Sequence, residues 1–272
     1  MAHDPGSVFR ALHRPGDPFI LINVWEAGTA RMAAAMGARA LATSSAAHAF
    51  TLGRPDGGTL SRDEALAHAE EIVAATDLPV NGDFENGFGD DPETCAETVR
   101  LAAEAGLAGI GIEDTIFPSG AAYPADLAAE RIGAAAAAAR ALPRDFVLTA
   151  RADGLLTGAY GIDEALARLQ AMEAAGADCL YAPMPATPGD LRRIVAETTA
   201  PVNALAAGPY TKLATKAFAD LGVARISLGS SLARAAQKTV HDALSEMLGA
   251  GDFTPLGHVL SGAKADALIS GK

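Results

Sequence analysis

The 272-residue chain holds only two cysteines, Cys95 and Cys179, in neither metal-ligand nor disulfide spacing. A cysteine-built zinc site and a disulfide scaffold are therefore excluded. Both thiols read as core residues, Cys95 in a helix and Cys179 in a buried strand. Basic residues are in deficit: 21 Lys and Arg face 33 Asp and Glu, a net charge of −12. That balance argues against nucleic-acid and anionic-membrane partners. It leaves room for a small anionic substrate, because one arginine or a bound cation can outweigh the global field. No uninterrupted apolar run is long enough to span a bilayer. Met1-Ala-His-Asp-Pro has no basic stretch leading into an apolar one, so no signal peptide is expected and the chain reads as cytoplasmic. No Gly-x-Gly-x-x-Gly follows the first strand, which removes support for a dinucleotide site. Gly-x-Ser-x-Gly is missing too, so Ser44 and Ser45 do not form a nucleophile elbow.

What the chain does have is one recurring phrase: a helix end, a glycine, then a short strand. It occurs around Gly37, Gly106, Gly176 and Gly222. A glycine just past a helix can take the left-handed conformation that turns the chain into the next strand. Apolar runs predict strands near 18–23, 40–44, 79–83, 109–113, 146–151, 178–182, 201–205 and 224–228. Helical periodicity predicts helices near 26–37, 62–76, 92–105, 127–141, 162–175, 188–197, 210–221 and 230–249. Eight alternating units fit a closed (β/α)8 TIM barrel, with an open doubly wound sheet as the rival. No internal linker interrupts them, so residues 1–272 read as a single barrel domain with a C-terminal helical extension.

Two acidic pairs stand at predicted strand ends: Asp83 with Glu85 after the third, and Glu113 with Asp114 after the fourth. In a barrel these ends converge on one face. Strand two would add Thr43-Ser-Ser-Ala-Ala, strand five Arg151 and strand seven Asn203. Clustered carboxylates repel one another unless a cation or proton sits between them, and an oxygen-rich set suits Mg2+. The plainer alternative is that the acids cap helices or sit in solvated loops. An arginine among acids would ordinarily pair with them; with a cation present it is free to hold a substrate carboxylate.

Several stretches in order resemble the isocitrate lyase/phosphoenolpyruvate mutase superfamily. They are Asn23-Val-Trp-Glu-Ala-Gly-Thr-Ala-Arg, Thr43-Ser-Ser, Leu52-Gly-Arg-Pro-Asp-Gly, Asp83-Phe-Glu-Asn-Gly-Phe-Gly, Gly111-Ile-Glu-Asp-Thr and Ala150-Arg-Ala-Asp. The resemblance runs from about Asn23 to Arg234. It implies a barrel whose last helix swaps between subunits, usually in a homotetramer, that binds Mg2+ or Mn2+ and an α-oxo or α-hydroxy acid. By resemblance Asp83 is the main metal contact, Glu85 the second acid of an Asp-x-Asp motif, and Glu113 the acid that meets metal-bound water. Asp56 is an outer acid, Ser44, Ser45 and Ala46 hold the substrate carboxylate, and Arg151 binds a substrate oxygen. Asp56, Glu113 and Arg151 are thus the expected catalytic residues, and Asn203 joins Arg151 among the substrate-binding ones.

Two departures matter. The Asp-x-Asp motif is Asp83-Phe-Glu85, with a longer second side chain. The loop after strand four, Thr115-Ile-Phe-Pro-Ser-Gly-Ala-Ala-Tyr, lacks the Cys of the family's lyases and the Lys and Asn of its mutases. Ser119 and Ala121 stand near the matching positions. Three chemistries stay open. Decarboxylation needs only a stabilised enolate; retro-aldol cleavage also needs an acid and a base, for which a loop hydroxyl, Tyr123 or a bound water are candidates. Phosphorus–carbon cleavage of the mutase or phosphonopyruvate hydrolase kind would want cationic help. A catalytically silent acid-binding barrel is the alternative from another class. His48 is placed within reach of the pocket, Trp25 is read as packing, and His241 and His258 as surface or interface residues.

Overall fold

A computed structural model describes residues 4–270. The first residues of the segment read for a leader, and both ends of the 1–272 span, lie outside the described residues. The strands are β1 (Phe19–Asn23), β2 (Leu41–Ala42), β3 (Val80–Asp83), β4 (Gly109–Glu113), β5 (Thr115–Ile116), β6 (Ala121–Ala122), β7 (Val147–Arg151), β8 (Cys179–Tyr181), β9 (Val202–Leu205) and β10 (Arg225–Ser227). All but β5 and β6 pair in parallel and close a barrel in the order β1-β10-β9-β8-β7-β4-β3-β2. The open-sheet rival is thereby excluded. β5 and β6 form a small antiparallel hairpin beyond β4.

The helices are α1 (Pro5–Leu12), α2 (Ala27–Ala35), α3 (Ser45–Thr51), α4 (Arg62–Ala74), α5 (Pro92–Glu104), α6 (Ala125–Ala141), α7 (Gly154–Thr157), α8 (Ile162–Ala174), α9 (Pro188–Ala196), α10 (Thr215–Asp220), α11 (Ser231–Gly249) and α12 (Gly262–Ser270). The four glycines of the recurring phrase all have positive φ, from +84° at Gly222 to +111° at Gly176. That conformation carries no Cβ penalty in glycine, so each helix can stop and drop straight into a strand. Starts are marked as sharply. Ser61 and Glu64 cap α4 reciprocally, and Asp91 caps α5 ahead of Pro92.

One large apolar cluster lies between strands and helices and includes Ile72, Val99, Ile110, Ile112, Leu148 and Leu180. A second closes the barrel floor, where Phe9 and Leu12 of α1 meet Phe19, Leu21, Val147 and Cys179. Both cysteines are buried and unpaired.

Some elements escape periodicity. α1 is a two-turn plug, and α3 starts where β2 ends, so the span read as 40–44 is a two-residue strand plus a helix cap. The helix read over 210–221 is two pieces, a 3₁₀ turn at Gly208–Lys212 and α10. Leu213 and Ala214 between them are extended, with ψ of 135° and 159°, so one helix cannot run from 210 to 221. The tail forms a 3₁₀ turn at Thr254–Gly257 and then α12, which packs on α2.

Candidate active site

The C-terminal ends of the strands surround a cavity of about 640 Å3. Ser44, Ser45, Ala46, Asp56, Asp83, Glu85, Glu113 and Arg151 all line it, so the expected site residues other than Asn203 come together there.

Register explains the centre. Glu113 on β4 stands opposite Arg151 on β7, and Asp83 on β3 stands opposite Gly111 on β4. A Cβ at Gly111 would lie 3.4 Å from Arg151 Cδ, so the missing side chain leaves the arginine a path across β4 to β3. Arg151 Nη1 donates to Asp83 Oδ1 at 2.6 Å, and Nη2 lies 2.9 Å from Glu113 Oε2. Nε and Nη2 also form a fork on Asp153, at 3.2 and 2.8 Å. Asp153 is buried and lines the same cavity. It went unassigned from sequence, although its place two residues after Arg151 puts it on the same side of the chain.

The other oxygen of Asp83 accepts from the Ser45 amide and hydroxyl, both at 2.9 Å. Ser44 caps α3 by accepting from the Ala47 amide. The first turn of α3 is thus fastened to the acid cluster. Glu85 has φ +45°, a conformation side chains rarely adopt, and its Oε1 accepts from the Gly58 amide at 3.1 Å. Strain of this kind is found where a site over-determines the backbone.

The charge balance is acidic. Burial pushes the Glu85 carboxyl up to about 7, the Gly58 amide opposes that rise, and Asp83 and Asp56 add to it. Burial also raises Glu113 well above the carboxylate range, against the pull of Arg151. Asp56 is raised by burial and then by Asp83. One guanidinium therefore does not neutralise the group.

Among the described residues no three His, Cys, Asp or Glu side chains converge tightly enough to cage an ion. Joint direct ligation by Asp83, Glu85 and Glu113 is not what the geometry presents.

Other expectations change place. Asn203 lies beneath the mouth, fully buried; it accepts from Arg225 Nε and donates to Ser227 Oγ, both at 2.9 Å. Its inward-facing register points it into the barrel, not the mouth cavity. Asp114 turns outward from Glu113, as alternation along a strand requires. It accepts from the Asp153 amide, Tyr160 and Arg168, which ties β4 to the turn after β7 and to α8. Tyr123 donates to Asp90 at 2.6 Å and Ser119 to the Ile116 carbonyl, and neither lines the mouth. Thr115 does, and its buried hydroxyl has no partner. His48 stacks on His68 behind α3, with ring centroids 3.9 Å apart. Trp25 faces an outer groove instead of the mouth. His241 and His258 are exposed.

Sequence reasoning also missed Asn23. Its Nδ2 donates to the Thr43 carbonyl, and its Oδ1 accepts from the amides of Leu228 and Gly229 at 2.8 and 3.0 Å. Its signals were a polar residue ending an apolar strand and its place at the head of the Asn23-Val-Trp-Glu stretch.

A closed parallel barrel with acids and an arginine at its strand ends is the architecture of an enzyme whose chemistry sits on that face. The chain belongs to the phosphoenolpyruvate phosphomutase family, whose model matches residues 9–248. A structure from Burkholderia cenocepacia J2315, described provisionally as a lyase/mutase, shares 45% identity over 96% of this chain and 94% of that one, with a TM-score of 0.92. A phosphonopyruvate hydrolase solved with oxalate and Mg2+ shares 25% identity over 99% and 95% of the two chains, with a TM-score of 0.85. The 2-methylisocitrate lyase of Escherichia coli (strain K12) is 34% identical over 187 residues, which span 66% of this chain and 62% of that enzyme.

Proposed function

We propose that the chain is a Mg2+-dependent carbon–carbon lyase for a small α-oxo or α-hydroxy carboxylic acid, with Mn2+ able to replace Mg2+. The observation that carries this reading is the uncompensated carboxylate cluster about Arg151. The donor set fits a hard cation: it is all oxygen, and Mg2+ ordinarily takes one or two carboxylates and keeps several waters. Asp83 is the direct ligand in this reading, and Glu85 and Glu113 hold waters. The buried, unpartnered Thr115 hydroxyl is a further oxygen available to a water or substrate.

The cation supplies Lewis acidity that stabilises an enolate. The protein's own groups do the rest. The amides of Ser44 and Ala46 hold the substrate carboxylate, while the Ser45 amide stays on Asp83. Arg151 keeps Glu113 and Asp153 and turns one amino group to the substrate oxygen that gains charge as the bond beyond the oxo carbon breaks. Decarboxylation asks for nothing more. A retro-aldol step also needs a base for the hydroxyl proton and an acid for the carbanion. Glu85, whose carboxyl burial raises to about 7, faces the cavity and can take the first proton and return it to the carbanion. Carbon–carbon chemistry is preferred over carbon–phosphorus chemistry because residues 115–123 carry no Lys, Arg or His for a phosphonate. A silent acid-binding barrel is disfavoured by the retained acids. The test is calorimetry with Mg2+ and oxalate, then a screen of oxo and hydroxy acids with NMR of the products. Full activity in excess chelator would defeat the reading.

The same proposal includes a homo-oligomer, a tetramer of paired dimers. An apolar groove of about 640 Å3 lies outside β1, lined by Ile20, Ile22, Trp25, Met32 and Met36. α11 reaches the groove only through Leu232 at its start; it buries only Ala233 and exposes Val240, Leu244 and Leu248 at four-residue spacing. Such a stripe matches a groove of this kind, and α11 of a second copy is its occupant in this reading. No described helix is long and apolar enough to cross a membrane. Light scattering should give a multimer at micromolar concentration, and Leu244→Asp with Leu248→Asp should break it. A stable wild-type monomer would count decisively against the assembly.

A further inference from the structure

The mouth has two unlike halves. β2, β3, β4 and β7 supply the acids and Arg151. The β8–β10 side supplies Met184, Leu205 and Leu228. Met184 is the unusual member. It lies in Pro183-Met184-Pro185, and a residue before proline is restricted to extended backbone. Met184 nevertheless has φ +59°, a left-handed conformation that costs a non-glycine residue energy. The turn is pinned from behind, where the Tyr210 hydroxyl donates to the carbonyls of Pro185 and Thr187 at 2.9 and 2.8 Å.

The next loop is shaped to receive this side chain. A Cβ at Gly208 would lie 2.6 Å from Met184 Cε. The pattern repeats one strand on, where a Cβ at Gly229 would lie 3.3 Å from Leu205 Cδ1. Two apolar side chains from strand ends are thus each seated over a glycine of the following loop. Both glycines line the mouth as well.

We propose that Met184, seated on Gly208, is the specificity-determining residue of the site. It and Leu205 receive an apolar branch on the substrate carbon beyond the oxo or hydroxy carbon, so the preferred substrate is an alkyl-bearing acid. This rests on the metal-chelate reading above, in which the carboxylate and adjacent oxygen occupy the acidic half. Phe117, Pro118 and Leu156 also line the mouth, on the acidic side beyond the strand ends, and the branch extends away from them to the opposite wall. The rival occupant of that wall is a second carboxylate held by Arg234, which lines the mouth without an ion-pair partner among the described residues.

The experiment is calorimetry with Mg2+ on the full chain, using oxalate, pyruvate, 2-oxobutyrate, 2-oxopentanoate and oxaloacetate. Oxalate is the control, since it chelates and has no branch. In the wild type, affinity should rise along the alkyl series by about fourfold per added methylene. In Met184→Ala that rise should shrink for the shorter acids while oxalate binding stays within about twofold, a change below ~0.4 kcal/mol. Met184→Leu should keep most of the rise, which separates pocket shape from loss of folding. Gly208→Ala, whose Cβ pushes the methionine tip inward, should penalise the longest acid most. Failure of oxalate to bind the wild type overturns the chelate reading and this inference together. Oxalate binding with a flat alkyl series, or an identical series in wild type and Met184→Ala, overturns this inference alone. So does an oxaloacetate preference that Arg234→Ala removes.

Discussion

Arg151 Nη1 and Asp83 Oδ1 lie 2.6 Å apart, so the arginine and the expected metal-contacting aspartate hold each other. Each group restrains the other, and a third partner at this point changes the freedom of both. Asp83→Ala should weaken Mg2+ binding and lower turnover by roughly 10²-fold or more, the scale seen when one charge-stabilising group is lost. Wild-type rates in this variant would remove the metal–enolate mechanism.

Arg151→Ala strips the single cation from three acids at once. Breaking a buried ion pair from one side costs about 3–5 kcal/mol. The variant should unfold at lower temperature by differential scanning calorimetry. A cation bound among the same acids would restore part of that loss, so added Mg2+ should raise the melting temperature of the variant by more than that of the wild type. Arg151→Lys should recover charge without the fork on Asp153 and stay poor in both KM and kcat.

Gly58 has φ +71°, and a Cβ on it would stand 2.5 Å from the Cβ of Phe117. Its amide also holds Glu85. Gly58→Ala should cost roughly 1–3 kcal/mol through backbone strain alone, and it should lower kcat by loosening Glu85. Equal stability and equal rates would show that the hairpin yields freely here.

His13 lies under the barrel floor, Nδ1 2.8 Å from the Phe9 carbonyl and Nε2 3.3 Å from Arg225 Nη1. Burial, then Arg225, holds its pKa down to about 3, opposed by the Phe9 carbonyl. The folded ring is neutral, whereas the unfolded ring takes a proton below its ordinary value near 6.5. Stability should therefore be insensitive to this group above pH 6.5 and fall as pH drops from there toward 3, at up to ~1.4 kcal/mol per unit. His48, lowered to about 4 by burial and His68, adds to the same window. Urea melts from pH 8 to 4 on wild type and His13→Gln should show a shallower acid slope in the variant.

The eight strands and the acidic mouth were legible because local chemistry announces them. Glycines at 37, 106, 176 and 222 end helices by themselves, and Asp83, Glu85 and Glu113 are rare company for strand ends. Asn203 was misread because sequence gives a strand's end without saying how deep each residue sits. Its neighbour Arg225, an unexpected charge inside the barrel, draws its carbonyl oxygen inward. α1 and α3 are too short for periodicity to speak. Asp114 and Glu113 look alike in the sequence, and only the pleat sends one to the mouth and the other to Arg168.

Asn23 joins the end of the first strand to the amides that follow the last. The order of synthesis makes that bond a late one. A chain emerging from the ribosome has every acid of the mouth in hand by residue 153, yet the Leu228 and Gly229 amides that fasten β1 to the ring's far end do not yet exist. A growing polypeptide therefore carries the reactive groups for some time before it can hold them in their working arrangement. A chain that stopped short of β10 would be an acidic, unclosed sheet with no working site.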